Sequence, residues 1–225
     1  MTEEEWLGCD DHFLLTYFVA ARISLRKLRL AEVAVCRRVE HHLVDVRSRH
    51  ALEVSERYAD GLASDEALVE ARSLAKAAYE SLLPHHNTQW NAILSAAVGV
   101  CCATVTESGM RMQSDMIDIA LFSPNPLPDS IPPEMRVASL ANAELIRDVF
   151  GNPFRPITLD PSWLTFTITT LARQMYESRD FSAMPILADA LQDSGCEDPQ
   201  ILNHCRGEGV HVRGCFVIDL LTGRK

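Results

Sequence analysis

The sequence predicts an all-α protein of stacked antiparallel helix pairs or an irregular helical bundle, and three observations carry that prediction. Apolar residues recur at helical spacing along most of the 225 residues, so successive segments each bury one stripe and solvate the other. Helix-start chemistry precedes those segments: Thr2 with Glu5, Ser24, Ser64, Asp160-Pro161 and Asp198-Pro199. Each offers an oxygen to the free amides of a first turn, or a proline that loses no hydrogen bond there. Stops follow at Gly61, Pro84, Gly195, Gly207 and Gly223.

In order, the Thr2/Glu5 capping box opens a short helix ahead of Trp6 and Leu7, and residues 13–21 read as a buried helix. From Ser24 a helix carries Leu25, Leu28, Val35, Val39 and Leu43. Its cations (Arg26, Lys27, Arg29, Arg37 and Arg38, with Arg22 before them) fall mostly between those positions and read as a solvated face. A helix over residues 47–61 and one from Ser64 to Leu83 follow, the second with Leu68, Ala71, Leu74, Ala75 and Ala78 in one stripe. Another begins at Thr88. Residues 123–134, with five prolines, exclude helix and central strand and read as an extended connector.

Residues 135–150 are again helical. The run GNPFRPITLDPSWL turns the chain and caps a helix from Ser162 to about Glu177, although Thr165 to Thr170 has strand propensity. Ile186, Leu187, Ala190 and Leu191 mark a helix ended by Gly195; Asp198-Pro199 starts the next, with Ile201, Leu202 and Cys205 buried. The last segment, His211 to Leu221, is apolar enough for helix or strand; Gly223 with Arg224-Lys225 behind it favours helix. The domain organisation this predicts is a helical region over 1–121, a proline-rich connector over 122–134 and a second helical region over 135–225.

An apolar content of 47% with 23% charged residues is that of a chain that folds. At this length the fold buries roughly 70% or more of the unfolded surface. The net charge of −10 offers no basic surplus for nucleic acid or an anionic membrane, so neither is expected as a partner. The longest apolar run, residues 92–103, is too short to span a bilayer and contains Ser95, Gly99 and two cysteines. MTEEEW lacks the basic-then-apolar form of a secretory signal, and seven cysteines, an odd number, suit a reducing compartment. The expected location is the cytoplasm.

Within the last stretch, HVRGCFVIDLLTG resembles the first helix of a HEAT-type repeat, and ADALQDSG resembles the ADxLxxxG helix of a short bacterial repeat-companion module. Taken together, MTEEEWL, SLRKLRLAEVAVCRR, ERYADGLASDEAL, GNPFRPITLDPSWL and HCRGEGVHVRGC resemble a lineage-expanded family of bacterial proteins with no assigned function. The resemblance covers both ends of the chain and leaves residues 82–134 as a variable middle. The two short resemblances imply stacked helical pairs, and the family resemblance brings no activity, cofactor or catalytic residue with it.

Chemistry concentrates near the carboxy terminus. Cys196, His204, Cys205, His211 and Cys215 are candidate zinc ligands, since thiolate and imidazole suit that ion. Against this, no CxxC knuckle is present, and His204 and Cys205 diverge by about 100° on one helix. The reading adopted is core cysteines with surface histidines and no cofactor, with zinc as the alternative. A thiol nucleophile, Cys205 or Cys215 activated by His204 or His211 with Asp219 orienting the ring, is a further reading without a family signature around it. The pairs His41-His42 and His85-His86 read as exposed helix-end residues, and Gly207-Glu208-Gly209 lacks the lysine and preceding strand of a phosphate loop. Phe154 and Arg155 form either a rigid recognition loop or a buried connection with Arg155 capping carbonyls. Without a catalytic constellation, the expected function is a cytoplasmic adaptor that binds another protein; the alternative is a Cys/His-dependent hydrolase or transferase, or a zinc-binding protein.

Overall fold

The computed structural model describes residues 1–20, 24–38, 40–82 and 133–224. The fold is all-α: the regular elements among these residues are ten α-helices and two 3-10 turns, packed helix on helix. They are α1 Glu3–Gly8, α2 His12–Ala20, α3 Leu25–Arg38, α4 Val46–Ala59, α5 Asp65–Leu82, α6 Pro133–Phe150, α7 Phe166–Ser178, α8 Met184–Asp193, α9 Pro199–Arg206 and α10 Phe216–Thr222. The connector expected over 122–134 and the helix expected from Thr88, with His85 and His86, lie outside the described residues, except that α6 already begins at Pro133. None of the helices among the described residues is long and apolar enough to cross a membrane.

Two compact units form, one from Gly8–Ala143 and one from Met1–Leu7 together with Glu144–Lys225. In the first, α4 packs against both α3 and α5. Ser24 caps α3 at the Lys27 amide, Asp45 caps α4 at Arg47, and Ser64 caps α5 at Ala67. The α-helix starting at Leu25 stops at Arg38 rather than running on past Leu43, and a 3-10 turn, Glu40–His42, follows.

Every residue of α3 from Leu28 to Cys36 is buried, so this helix is enclosed on all sides and its polar residues are enclosed with it. Arg26, Arg29 and Arg37 of the basic run are therefore not a solvated face, and Arg22 lies outside the described residues. Arg29 lies buried over the Tyr58 ring, 4.9 Å from its centroid, and Arg26 pairs with Asp60 at 2.9 Å. Arg37 grips Glu56 through two bonds of 2.6 and 3.1 Å and reaches Glu40 at 2.8 Å. A fork against a carboxylate suits arginine, and a cation enclosed this deeply needs such a partner.

Enclosure also shifts two groups of this unit in opposite directions. Burial holds the His12 ring neutral, its pKa lowered to about 4, and pushes the Glu32 carboxyl up to about 8, the nearby Arg29 charge only partly offsetting it. Between pH 4 and 6.5 the unfolded chain binds a proton at His12 that the fold refuses, so stability from this group rises with pH. Between pH 4.5 and 8 the fold keeps a proton on Glu32 that the unfolded chain gives up, so stability from that group falls with pH. These two slopes cancel between about pH 4.5 and 6.5, and above that only the Glu32 slope of the pair remains, at about 1.4 kcal/mol per pH unit. Urea unfolding followed by circular dichroism should show stability declining from about pH 6.5 to 8 in the wild type, and a flat profile over that window in Glu32→Gln.

In the second unit α7, α8, α9 and α10 enclose a core that includes Ile168, Met175, Met184, Leu187, Leu191, Ile201, Val217 and Leu221. Asp160-Pro161 caps only a 3-10 turn, Pro161–Trp163, and α7 begins later, at Phe166, because the Thr165 hydroxyl takes the Ile168 amide at 3.3 Å. The β-branched run after Thr165 is helical: with Ile168 and Ala172 in the core, packing outweighs its strand propensity. Asp198 caps α9 at Gln200, and Gly223 closes α10 in the left-handed region. The stretch His211 to Cys215 is a turn rather than the first half of that last helix. Gly214, at φ +95°, supplies a conformation that a helical residue cannot.

Candidate metal centre

The last turn of α6 carries Asp148, α9 carries His204, the turn after it carries His211, and Cys215 is the residue before α10. All four belong to the second unit, and their donor atoms lie within 4.8 Å of one another. The Asp148 carboxylate is the hub. Its Oδ1 lies 2.8 Å from His211 Nδ1 and 3.1 Å from His204 Nε2, and its Oδ2 accepts the Val212 amide at 2.9 Å. Cys215 Sγ lies 3.2 Å from the same His204 Nε2. The two imidazoles meet edge to face, 4.8 Å between centroids, and the Phe216 ring covers His204 at 4.4 Å.

Local sequence explains how these side chains converge. His204 and Cys205 diverge on α9 as helix geometry requires, so Cys205 enters the core while His204 faces Asp148. Arg213 ties the turn to the end of α7, donating to the Tyr176 carbonyl at 2.8 Å and the Glu177 carbonyl at 3.0 Å, where a cation suits the helix dipole. The Cys215 amide closes the turn on the Val212 carbonyl at 3.0 Å. Behind Asp148, Gly151 has φ +66°, and a Cβ there would stand 3.0 Å from the Phe216 ring, so glycine lets that ring reach His204.

Burial sets the electrostatics. Desolvation works to raise the Asp148 pKa, but the hydrogen bonds from His204 and His211 outweigh it and hold the carboxyl below its ordinary value. Burial, with the Asp148 charge nearby, pushes the Cys215 thiol well above its usual range. Burial also pushes Cys205 up to about 12 and raises Cys196. His211 Nε2 is buried with no hydrogen-bond partner, a polar atom whose full complement the protein does not supply.

Of the five candidate zinc ligands, the structure brings together His204, His211 and Cys215; Cys196 and Cys205 sit in the apolar core. The acid among them is Asp148, more than fifty residues away in sequence, where nothing but its buried position at the end of a helix marks it. Asp219 is buried on α10 and is not a member of this cluster. His211 and Cys215 bound a turn rather than lying on one helix, and the histidine that touches the thiol is His204. Phe154 is partly exposed, and Arg155 grips the Glu3 carboxylate rather than capping carbonyls.

The arrangement is not a nucleophile relay. In such a relay the thiol and the acid occupy opposite nitrogens of the imidazole, whereas here both face Nε2 of His204. A thiol raised by complete burial is also poorly placed to ionise as an attacking group. Brief native treatment with iodoacetamide near neutral pH should modify half-buried Cys9 and spare Cys196, Cys205 and Cys215 until the protein unfolds; peptide mapping reads the pattern, and early labelling of Cys215 would contradict it. No family model matches the chain, and neither a curated protein nor a solved structure does.

Proposed function

We propose that the carboxy-terminal unit is a zinc-binding helical module, with the ion held by Asp148, His204, His211 and Cys215. The observation that carries this is convergence: a carboxylate oxygen, a thiol sulfur and an imidazole nitrogen crowd one point at 3.1 and 3.2 Å, with a second imidazole 2.8 Å from the carboxylate. Zinc bonds of about 2.0–2.3 Å in a tetrahedron set ligands about 3.3–3.6 Å apart, so the ion would open the close contacts by a few tenths of an ångström and draw in the wider donor pairs, which span up to 4.8 Å. The donor set of nitrogen, sulfur and carboxylate oxygen suits zinc, and the charge of the ion is what would hold the buried thiol as thiolate.

Four protein ligands make a closed site, the pattern of a structural rather than a catalytic ion. That supports an architectural role, a clamp joining α6, α9 and the turn before α10, and it agrees with the adaptor reading of a helical stack that binds another protein. The free cysteines among the described residues and the acidic charge favour the cytoplasm, with neither nucleic acid nor membrane as a partner. Membership of the lineage-expanded bacterial family, and of the HEAT-type or repeat-companion modules, belongs to this proposal on the motifs that carry the resemblance.

Elemental analysis of protein purified after growth with zinc should give about one ion per chain. Cys215→Ser or His204→Ala should abolish it, whereas Cys196→Ala and Cys205→Ala should keep it despite their core positions. Free zinc at about a thousand times its Kd should stabilise the fold by about 4 kcal/mol. A metal-free protein with an unfolding midpoint indifferent to zinc overturns the reading.

A further inference from the structure

Beside the Asp148, His204, His211 and Cys215 cluster lies a cleft of about 310 Å³, bordered by residues of the amino-terminal helix. Residues Met1–Leu7 leave their sequence neighbours, which fold into the other unit, and pack with residues more than 140 positions away. Three contacts seat them. The Glu3 carboxylate is forked by the Arg155 guanidinium at 2.5 and 3.1 Å and bonded by the Asn152 amide at 2.7 Å. The Trp6 ring is 1% exposed, and the Trp6 carbonyl accepts from Arg147 Nε and Nη2 at 3.2 and 3.0 Å. One helical turn thus presents an acid and, three residues on, an indole to a socket built for both.

The seated arm does not fill its socket. The cleft stays open towards Gln200, His204 and Phe216. Arg155 remains largely exposed, so its grip on Glu3 is a screened surface pair and readily exchanged. The helix is only six residues long, too short to hold its shape without the socket. Gly8, where the arm joins the rest of the chain, has open space around it.

We propose that this cleft is a docking site for an acidic peptide of the pattern Glu-x-x-Trp on a helical turn, contributed by a partner protein, and that the amino-terminal arm is its built-in competitor. Charge complementarity at Arg155 and Asn152 selects the carboxylate, burial selects the indole, and the open volume takes the residues that follow. Being covalently attached, the arm competes at an effective concentration of about millimolar, so a partner must bind tightly or the arm must be held away. The anchoring contacts at Arg155, Asn152 and Arg147 use no proposed ligand atom, although His204 lines the cleft, so peptide binding and zinc content are read separately.

The test titrates a fluorescein-labelled peptide, TEEEWLG, into the full-length protein carrying Glu3→Ala and Trp6→Ala, read by fluorescence anisotropy. Saturable binding is expected, at least about tenfold tighter than to the wild type, whose own arm competes. Replacing the first peptide glutamate by glutamine should weaken binding about fivefold, and replacing tryptophan by alanine at least about thirtyfold. Arg155→Glu in the protein should repel the native peptide. Should the double variant not fold, excess peptide is added to the wild type and hydrogen exchange of amides 2–7 is followed: faster exchange supports displacement of the arm, and unchanged exchange overturns the proposal. A folded double variant that retains its zinc content yet ignores the peptide overturns it as well, and leaves the metal reading untouched.

Discussion

A single buried carboxylate organises the second unit. Asp148 is almost wholly enclosed, and an uncompensated charge in that position would cost several kcal/mol. The protein compensates it with donors from two other places in the chain: the His204 ring on α9, and the His211 ring and Val212 amide in one turn. Because each donor must point at the same small target, the end of α6, the α9 helix and the His211 turn have little freedom to move apart. The turn in turn delivers Cys215 to the same spot and starts α10. Charge satisfaction thus sets the local architecture, and apolar burial behind it supplies the bulk of the stabilisation.

That geometry also explains why thiols of one short stretch have different characters. Cys196 and Cys205 face the apolar core, where a thiol is a small hydrophobe and burial keeps it protonated. Cys215 is equally buried, but it shares its space with an imidazole nitrogen and a carboxylate rather than with methyl groups alone. On the proposed zinc reading, a cation in this enclosed polar pocket would satisfy acid, imidazoles and thiolate together.

The first unit meets the same problem of enclosed charge by other means. In its enclosed helix α3, Arg37 forks onto Glu56 and Arg26 pairs with Asp60, whereas burial raises the Glu32 carboxyl and favours its neutral form. Near its start the chain places an acid and an indole on the second unit, so the two ends of the sequence are joined by Glu3, Trp6, Arg147 and Arg155 although they share no local motif.

The sequence by itself determined the helices: the 3.6-residue stripes, the oxygens of Thr2, Ser24, Ser64 and Asp198 at their starts, and the glycines at their ends act within a turn or two, and such short-range chemistry is readable from spacing alone. It also singled out His204, His211 and Cys215, since few residue types can hold a metal. Where local signals competed, as with Asp160 and Thr165 for the start of α7 or Gly214 within an apolar run, spacing left the boundary open and packing settled it. Tertiary structure alone decided that Asp148 joins those three, that Cys196 and Cys205 do not, that Arg29 of α3 is enclosed, and that Met1–Leu7 pack with Glu144–Lys225. The reason is physical: caps and stripes are satisfied by neighbours in sequence, whereas a buried charge is satisfied by whatever the fold brings within hydrogen-bond reach, and separation along the chain carries no trace of that.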